Sequence, residues 1–325
     1  MTSKYYEAAR VVFLCFLLGC GFISCLNASE RAVSSGISHY MMGVIYEDEG
    51  DLEKAVAEYM QALKVDPSSP LIHLRLASTY IKSSLFDKAI EEAKEVVALD
   101  SQAPEPHALL ALIYSLQRKL DLATVEYEQA LEKASRSNPQ DIQIQKSLGE
   151  IYFWHKDFEA AEKVYKMILQ LSPQDAQAHF YLGIIYEEQK KTQNATEEFK
   201  AAININPEYA EALNSLGYIY AEQGINLDEA QALVKKALEL DSGNAAYIDS
   251  LGWVYFKKGD YDAAIKELER AIALMEDPVI YDHLGDAYFK KGILEKAREN
   301  WEKSFNLDSR QEMVRKKLED LRINE

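Results

Sequence analysis

A short pattern returns along this chain about every 34 residues, and a recurrence of that length restricts the fold to a stack of like units. A small residue stands at Gly43, Ala77, Ala111, Gly149, Gly183, Gly217, Gly252 and Gly285, at spacings of 34, 34, 38, 34, 34, 35 and 33. Three residues after each comes a tyrosine: Tyr46, Tyr80, Tyr114, Tyr152, Tyr186, Tyr220, Tyr255 and Tyr288. Further on in every unit stands an alanine: Ala55, Ala89, Ala123, Ala161, Ala195, Ala230, Ala264 and Ala297.

Each unit reads as a helical hairpin. In the first, His39, Met42, Gly43 and Tyr46 fall at i, i+3, i+4 and i+7, one face of a helix. Gly50 breaks the chain, Asp51 is placed to cap a second helix, and Pro67 closes the unit. Ala55, Tyr59 and Ala62 again share a face. The small residues let the two helices approach closely. A bulky residue near the twenty-fourth position (Tyr59, Tyr127, Tyr165, Phe199, Trp301) is expected to fill the space between neighbouring units. One hairpin cannot bury both faces, so several must stack. With 14 Gly, 8 Pro and 27% charged residues, the composition suits an all-helical chain.

The pattern resembles the tetratricopeptide repeat. In the fifth unit Leu182, Gly183, Tyr186, Ala195, Phe199, Ala202 and Pro207 match that family's signature positions as they stand. The resemblance implies an all-α, right-handed superhelical solenoid of antiparallel helix pairs. Eight repeats are expected over 36–309: 36–69, 70–103, 104–141, 142–175, 176–209, 210–244, 245–277 and 278–309. Leu216-Gly217-Tyr218 and Leu251-Gly252-Trp253-Val254-Tyr255 look like a subclass common in bacterial envelope proteins. The chain departs from the family pattern at the fourth position. The usual Trp is replaced by His39, His73, His107 and His179, read as packing substitutes, or by Leu213, Ile248 and Tyr281. The third unit is four residues long around Ala134–Asn138. It is expected to extend its second helix by a turn and to separate units one to three from units four to eight. In the tail, 310–325, Met313, Leu318 and Leu321 lie among charged residues and predict an amphipathic capping helix.

The first 25 residues have another character. Lys4 and Arg10 precede the apolar run Val11–Leu18, a weaker run follows, and Asn27 to Arg31 is polar. That is the layout of a secretory signal, too short for a comfortable membrane span. Leu17-Leu18-Gly19-Cys20 resembles a bacterial lipobox, with Cys25 as the alternative lipidation site; an uncleaved anchor is the other reading. The resemblance implies an exported lipoprotein facing the periplasm, with residues 26–35 as a tether and the outer membrane favoured where one exists. All three cysteines lie here, at 15, 20 and 25, so the repeats contain neither a disulfide nor a thiolate metal site.

The chain holds no glycine-rich phosphate loop, no His-Glu-x-x-His and no Gly-x-Ser-x-Gly. No catalytic, cofactor-binding or metal-binding residues are expected, and no small-molecule substrate. A net charge of −17 repels phosphate and argues against nucleic acid. The family resemblance places a binding groove on the first helix of each unit. Carried over, it comprises Phe153, Trp154, Phe180, Tyr181, Glu187, Asn214, Tyr218, Glu222, Asp249, Trp253, Phe256, Asp282, Asp286 and Phe289. Aromatic anchors between carboxylates suit an apolar peptide carrying basic residues. The competing reading packs Tyr218, Trp253 and Phe256 against adjacent helices. The function expected is a non-catalytic scaffold that helps assemble an envelope machine for secretion, pilus formation or polysaccharide export. The alternatives are an accessory subunit of a glycosyltransferase or peptidase system, and a cytoplasmic cochaperone.

Overall fold

The computed structural model describes residues 22–323, with side chains from Val33 to Leu321. The segment 1–21, with the expected signal and Cys20, lies outside the described residues. Cys25 falls within the first helix, but its side chain is also outside them.

Among the described residues there are seventeen α-helices and no strand. They pair in chain order. The hairpins are α1 (Phe22–Asp48) with α2 (Leu52–Val65), α3 (Pro70–Lys82) with α4 (Phe86–Leu99), and α5 (Glu105–Leu116) with α6 (Leu120–Ser137). Next come α7 (Ile142–Trp154) with α8 (Phe158–Leu171), α9 (Ala176–Glu188) with α10 (Thr192–Ile205), and α11 (Ala210–Gln223) with α12 (Leu227–Leu240). The last pairs are α13 (Ala245–Lys258) with α14 (Tyr261–Leu274) and α15 (Pro278–Lys290) with α16 (Leu294–Leu307), followed by α17 (Glu312–Ile323).

The turn inside each hairpin has one local cause. Seven residues after the repeat glycine or alanine, the backbone takes a positive φ in all eight units. The residue is Gly50, Gly224, Gly259 or Gly292 in four of them and Ser84, Arg118, Lys156 or Lys190 in the others. Aspartates then start the second helices: Asp51, Asp157 and Asp260 accept the backbone N–H of Lys54, Ala160 and Ala263.

The repeat glycine is a contact surface. A Cβ built on Gly183 would lie 2.6 Å from the Phe199 ring, and on Gly285 2.4 Å from Trp301; Gly43 and Gly149 face Tyr59 and Tyr165 in the same way. The bulky residue therefore fills the joint inside its own hairpin, not only the space between units. In the third unit Ala111 stands in the glycine's place, and Tyr127 is turned out to solvent. The second unit pairs Ala77 with Ala93, both fully buried. All eight repeat alanines are buried.

Two expectations change on contact with the structure, and one holds. Residues 26–35 form part of α1, because nothing before Gly36 breaks a helix there. The extra residues of the third unit do lengthen α6, to 18 residues against 14 in α2, α4 and α8. The chain divides into two compact units, but at Leu148/Gly149, inside α7, and not at the start of the fourth repeat. The first half of α7 belongs with α6: buried Gln145 donates to Ser135 Oγ at 2.8 Å and to the Pro139 carbonyl at 3.2 Å.

In the second unit α17 caps the core formed by Ile280, Leu284, Ala297 and Trp301. Val314, Leu318 and Leu321 make the contact, at i, i+4 and i+7, whereas Met313 is exposed.

Candidate protein-binding face

Within the second compact unit the residues assigned to the groove sit on the first helices α7, α9, α11, α13 and α15. Helix α13 touches both α11 and α15, which makes their surfaces continuous. At one end Phe153, Phe180 and Tyr181 are half-buried in a chain of rings that includes Tyr165, Phe199 and Tyr209. Trp154 is the outward member of that chain, 74% exposed, with its ring 5.7 Å from Phe153. At the other end Phe289 is 43% exposed and packs 5.5 Å from Trp301. A cavity of about 560 Å³ opens there among Phe256, Phe289, Leu294, Trp301 and Leu321, rimmed by Asp286, Lys290, Lys317 and Asp320.

The middle is more closed than a free groove requires. Trp253 is only 7% exposed, stacked 4.0 Å from the His283 ring and 4.6 Å from Phe256. Its indole N–H donates to Glu222, and Lys257 lies over its ring. Asp249 is equally buried and accepts the Nδ1–H of His283 at 2.9 Å. Trp253 and Asp249 are thus buried joints between repeats. The reason lies in the next unit: the repeat brings His283 against both of them. Asp282 and Asp286 are half-buried and both lie within 2.7 Å of Lys317 Nζ on α17, so the capping helix already supplies their positive charge.

What remains open is acidic and aromatic. Glu187, Asn214 and Tyr218 are half-buried and Glu222 is exposed. Burial, with Glu188 and Glu222 close by, holds Glu187 above the usual carboxylate range. Among the described residues no basic side chain pairs with Glu187. Burial pushes the Tyr218 hydroxyl up, reinforced by Glu222 and Asp249. Burial works to lower the His283 pKa, but Asp249, with Asp282 and Asp286 beyond it, outweighs burial and the net direction is upward. Asp286 is raised by burial against the pull of Lys317.

The fourth-position histidines are polar links. Nδ1 of His39, His73, His107 and His179 donates to Glu58, Glu92, Glu126 and Glu198, nineteen residues on, at 2.6 to 2.8 Å. Nε2 of His73 and His179 also reaches the carbonyl of Pro67 and Pro173, six residues back, as Gln145 reaches Pro139. The recurrence of Glu nineteen residues after His carried that signal, and the reading as packing substitutes passed over it. His283 is a polar link of the same kind, with Asp249 as its acceptor.

Models of the tetratricopeptide repeat match residues 46–113, 108–176 and 208–277, and a TPR-repeat model matches 188–224. No curated protein matches the sequence. Among solved structures, a chain of the APC/C hetero-tetramer Cut9–Hcn1 superposes with a TM-score of 0.57 at 18% identity, over 83% of this chain and 52% of that one. This chain therefore spans about half the length of that protein. The TPR protein TTC0263 of Thermus thermophilus covers 56% of this chain and 99% of its own, at 22% identity and a TM-score of 0.47. A tetratricopeptide repeat protein of Parabacteroides merdae covers 89% and 99%, at 15% and 0.47. The chain is a tetratricopeptide-repeat protein, and the role that goes with this repeat is that of a scaffold for protein–protein interaction.

Proposed function

We propose that this protein is a non-catalytic scaffold of the bacterial cell envelope, held by a lipid on Cys20 or Cys25, that binds a segment of a partner protein along α7 to α15. The observation that carries the reading is one face with exposed aromatics at both ends, Trp154 and Phe289, and Glu187 between them without a cation. Such a face suits a peptide with apolar residues near its ends and a Lys or Arg in the middle. The Cut9–Hcn1 hetero-tetramer, an assembly of two different proteins, is in keeping with a protein partner. No helix of the described residues is long and apolar enough to cross a membrane. In this reading the acyl group is the anchor. The machine it would serve is one of secretion, pilus assembly or polysaccharide export.

Affinity capture from detergent-solubilised envelope tests the binding face. Trp154→Ala and Glu187→Lys should each deplete the same captured polypeptide while circular dichroism stays native; capture untouched by both would rule the face out. Trp253→Ala is the wrong probe, since it removes a buried joint. Acyl labelling should disappear with Cys20→Ser or with Cys25→Ser; labelling that survives the double variant would overturn both assignments, and a wild type that takes no label would remove the anchor.

A further inference from the structure

One repeat position is buried at almost every joint except the first. Two residues after the repeat glycine or alanine stand Thr79, Ile113, Ile185, Ile219, Val254 and Ala287, none more than 3% exposed, and Ile151 is half-buried. In the first unit the same position is Ile45, which is 44% exposed. The position just before the glycine or alanine is a leucine in every later unit, from Leu76 to Leu284, at most 5% exposed; in the first unit it is Met42, at 37%. Along α1 the exposed apolar residues continue as Val33, Ile37 and Met41, spaced four apart like Ile45. At Met42 and Ile45 helix α1 therefore presents the face that a preceding repeat would cover, and Val33, Ile37 and Met41 extend it as one apolar stripe.

Charge selects the occupant. Residues 32–46 contain no Asp, Glu, Lys or Arg, in a chain that is 27% charged and carries a net −17. His39, within that stretch, is turned to Glu58 on α2. The outer side of α17 carries Arg315, Lys316, Glu319 and Asp320, so head-to-tail stacking would desolvate charges against an apolar stripe. Two copies of the 32–46 stretch meet without any charge between them.

We propose that the protein self-associates through α1. The stripe packs antiparallel on that of a second copy about a two-fold axis near Met41, which sets Ile37 against Ile45 of the second copy. This surface uses none of the residues of the proposed binding face. A single helix pair buries an interface at the low end of the specific range, below about 1,200 Å², so the dimer is reversible.

Sedimentation velocity of the full chain over two decades of concentration reads the equilibrium. The expected result is a monomer–dimer exchange that tightens as salt is raised, because salt screens the repulsion between two acidic bodies. Ile45→Glu should weaken it at least about tenfold, by burying a carboxylate against the apolar Ile37 of the second copy. Ile37→Glu should do the same at a position that other repeats leave exposed, as at Leu71 and Val279, so folding is not at stake. Met313→Glu on α17 should leave the dissociation constant unchanged. A chain that stays monomeric throughout, or a dimer that Ile37→Glu leaves intact, overturns the proposal. So does a monomer that floats with neutral phosphatidylcholine vesicles and loses them on Ile45→Glu, since lipid would then cover the stripe.

Discussion

A glycine in this repeat is defined by what presses on it. Gly183 leaves 2.6 Å between a would-be Cβ and the Phe199 ring, and both sit in close-packed helices. Gly183→Ala should cost about 1–3 kcal/mol in urea denaturation, as overpacking does. Pairing it with Phe199→Ala should give a coupled, less than additive loss, because the two-alanine arrangement already exists at Ala77 and Ala93. His283 makes a second residue-level case. Its folded pKa lies above the ordinary 6.5, so the Asp249–His283 pair stabilises the fold fully below that value and loses its contribution as pH rises through the folded value. The stability difference between wild type and His283→Gln, read by urea denaturation across a pH series, should therefore grow on acidification from pH 8 toward 6. A flat difference would mean that the ring is held neutral. The repeat glycines were legible from spacing alone. The His283 site was not, because Asp249 and Trp253 lie in the preceding repeat and only packing brings them to its ring.

At the scale of elements, the hairpin turn asks for one left-handed residue, and only half the units supply glycine there. Lys190, at φ 59°, holds that conformation with a Cβ. Lys190→Gly should raise stability by about 0.5–1 kcal/mol, the left-handed penalty less the entropy that glycine adds to the unfolded chain. An unchanged or lower melting temperature would count against it. The helices, their order and the lengthened α6 could be read from the sequence, since each depends on residues a few positions apart. In the capping face of α17 the structure puts Val314 where the amphipathic pattern puts Met313. Both satisfy an amphipathic pattern, and only the contact with Trp301 and Leu284 distinguishes them.

On the scale of the whole molecule, a stack of hairpins keeps its stability in nearest-neighbour contacts. Ending the chain after Asp308 removes Val314, Leu318 and Leu321 from the core, and Lys317 from Asp282 and Asp286. Hydrogen exchange should then lose protection in α15 and α16 far more than in α9 and α10, and equal loss throughout would show a single cooperative block. The sequence by itself determined how many hairpins there are, where each one turns, and that small residues meet large ones, because those facts repeat with the chain's own period. Which of the aromatic and acidic residues on the first helices stay free for a partner was decided only in three dimensions. Trp253 and Asp249 share a helix face with Glu187's equivalents, yet a ring 34 residues beyond Asp249 closes over them, and burial of that kind depends on the neighbour's packing and not on the period.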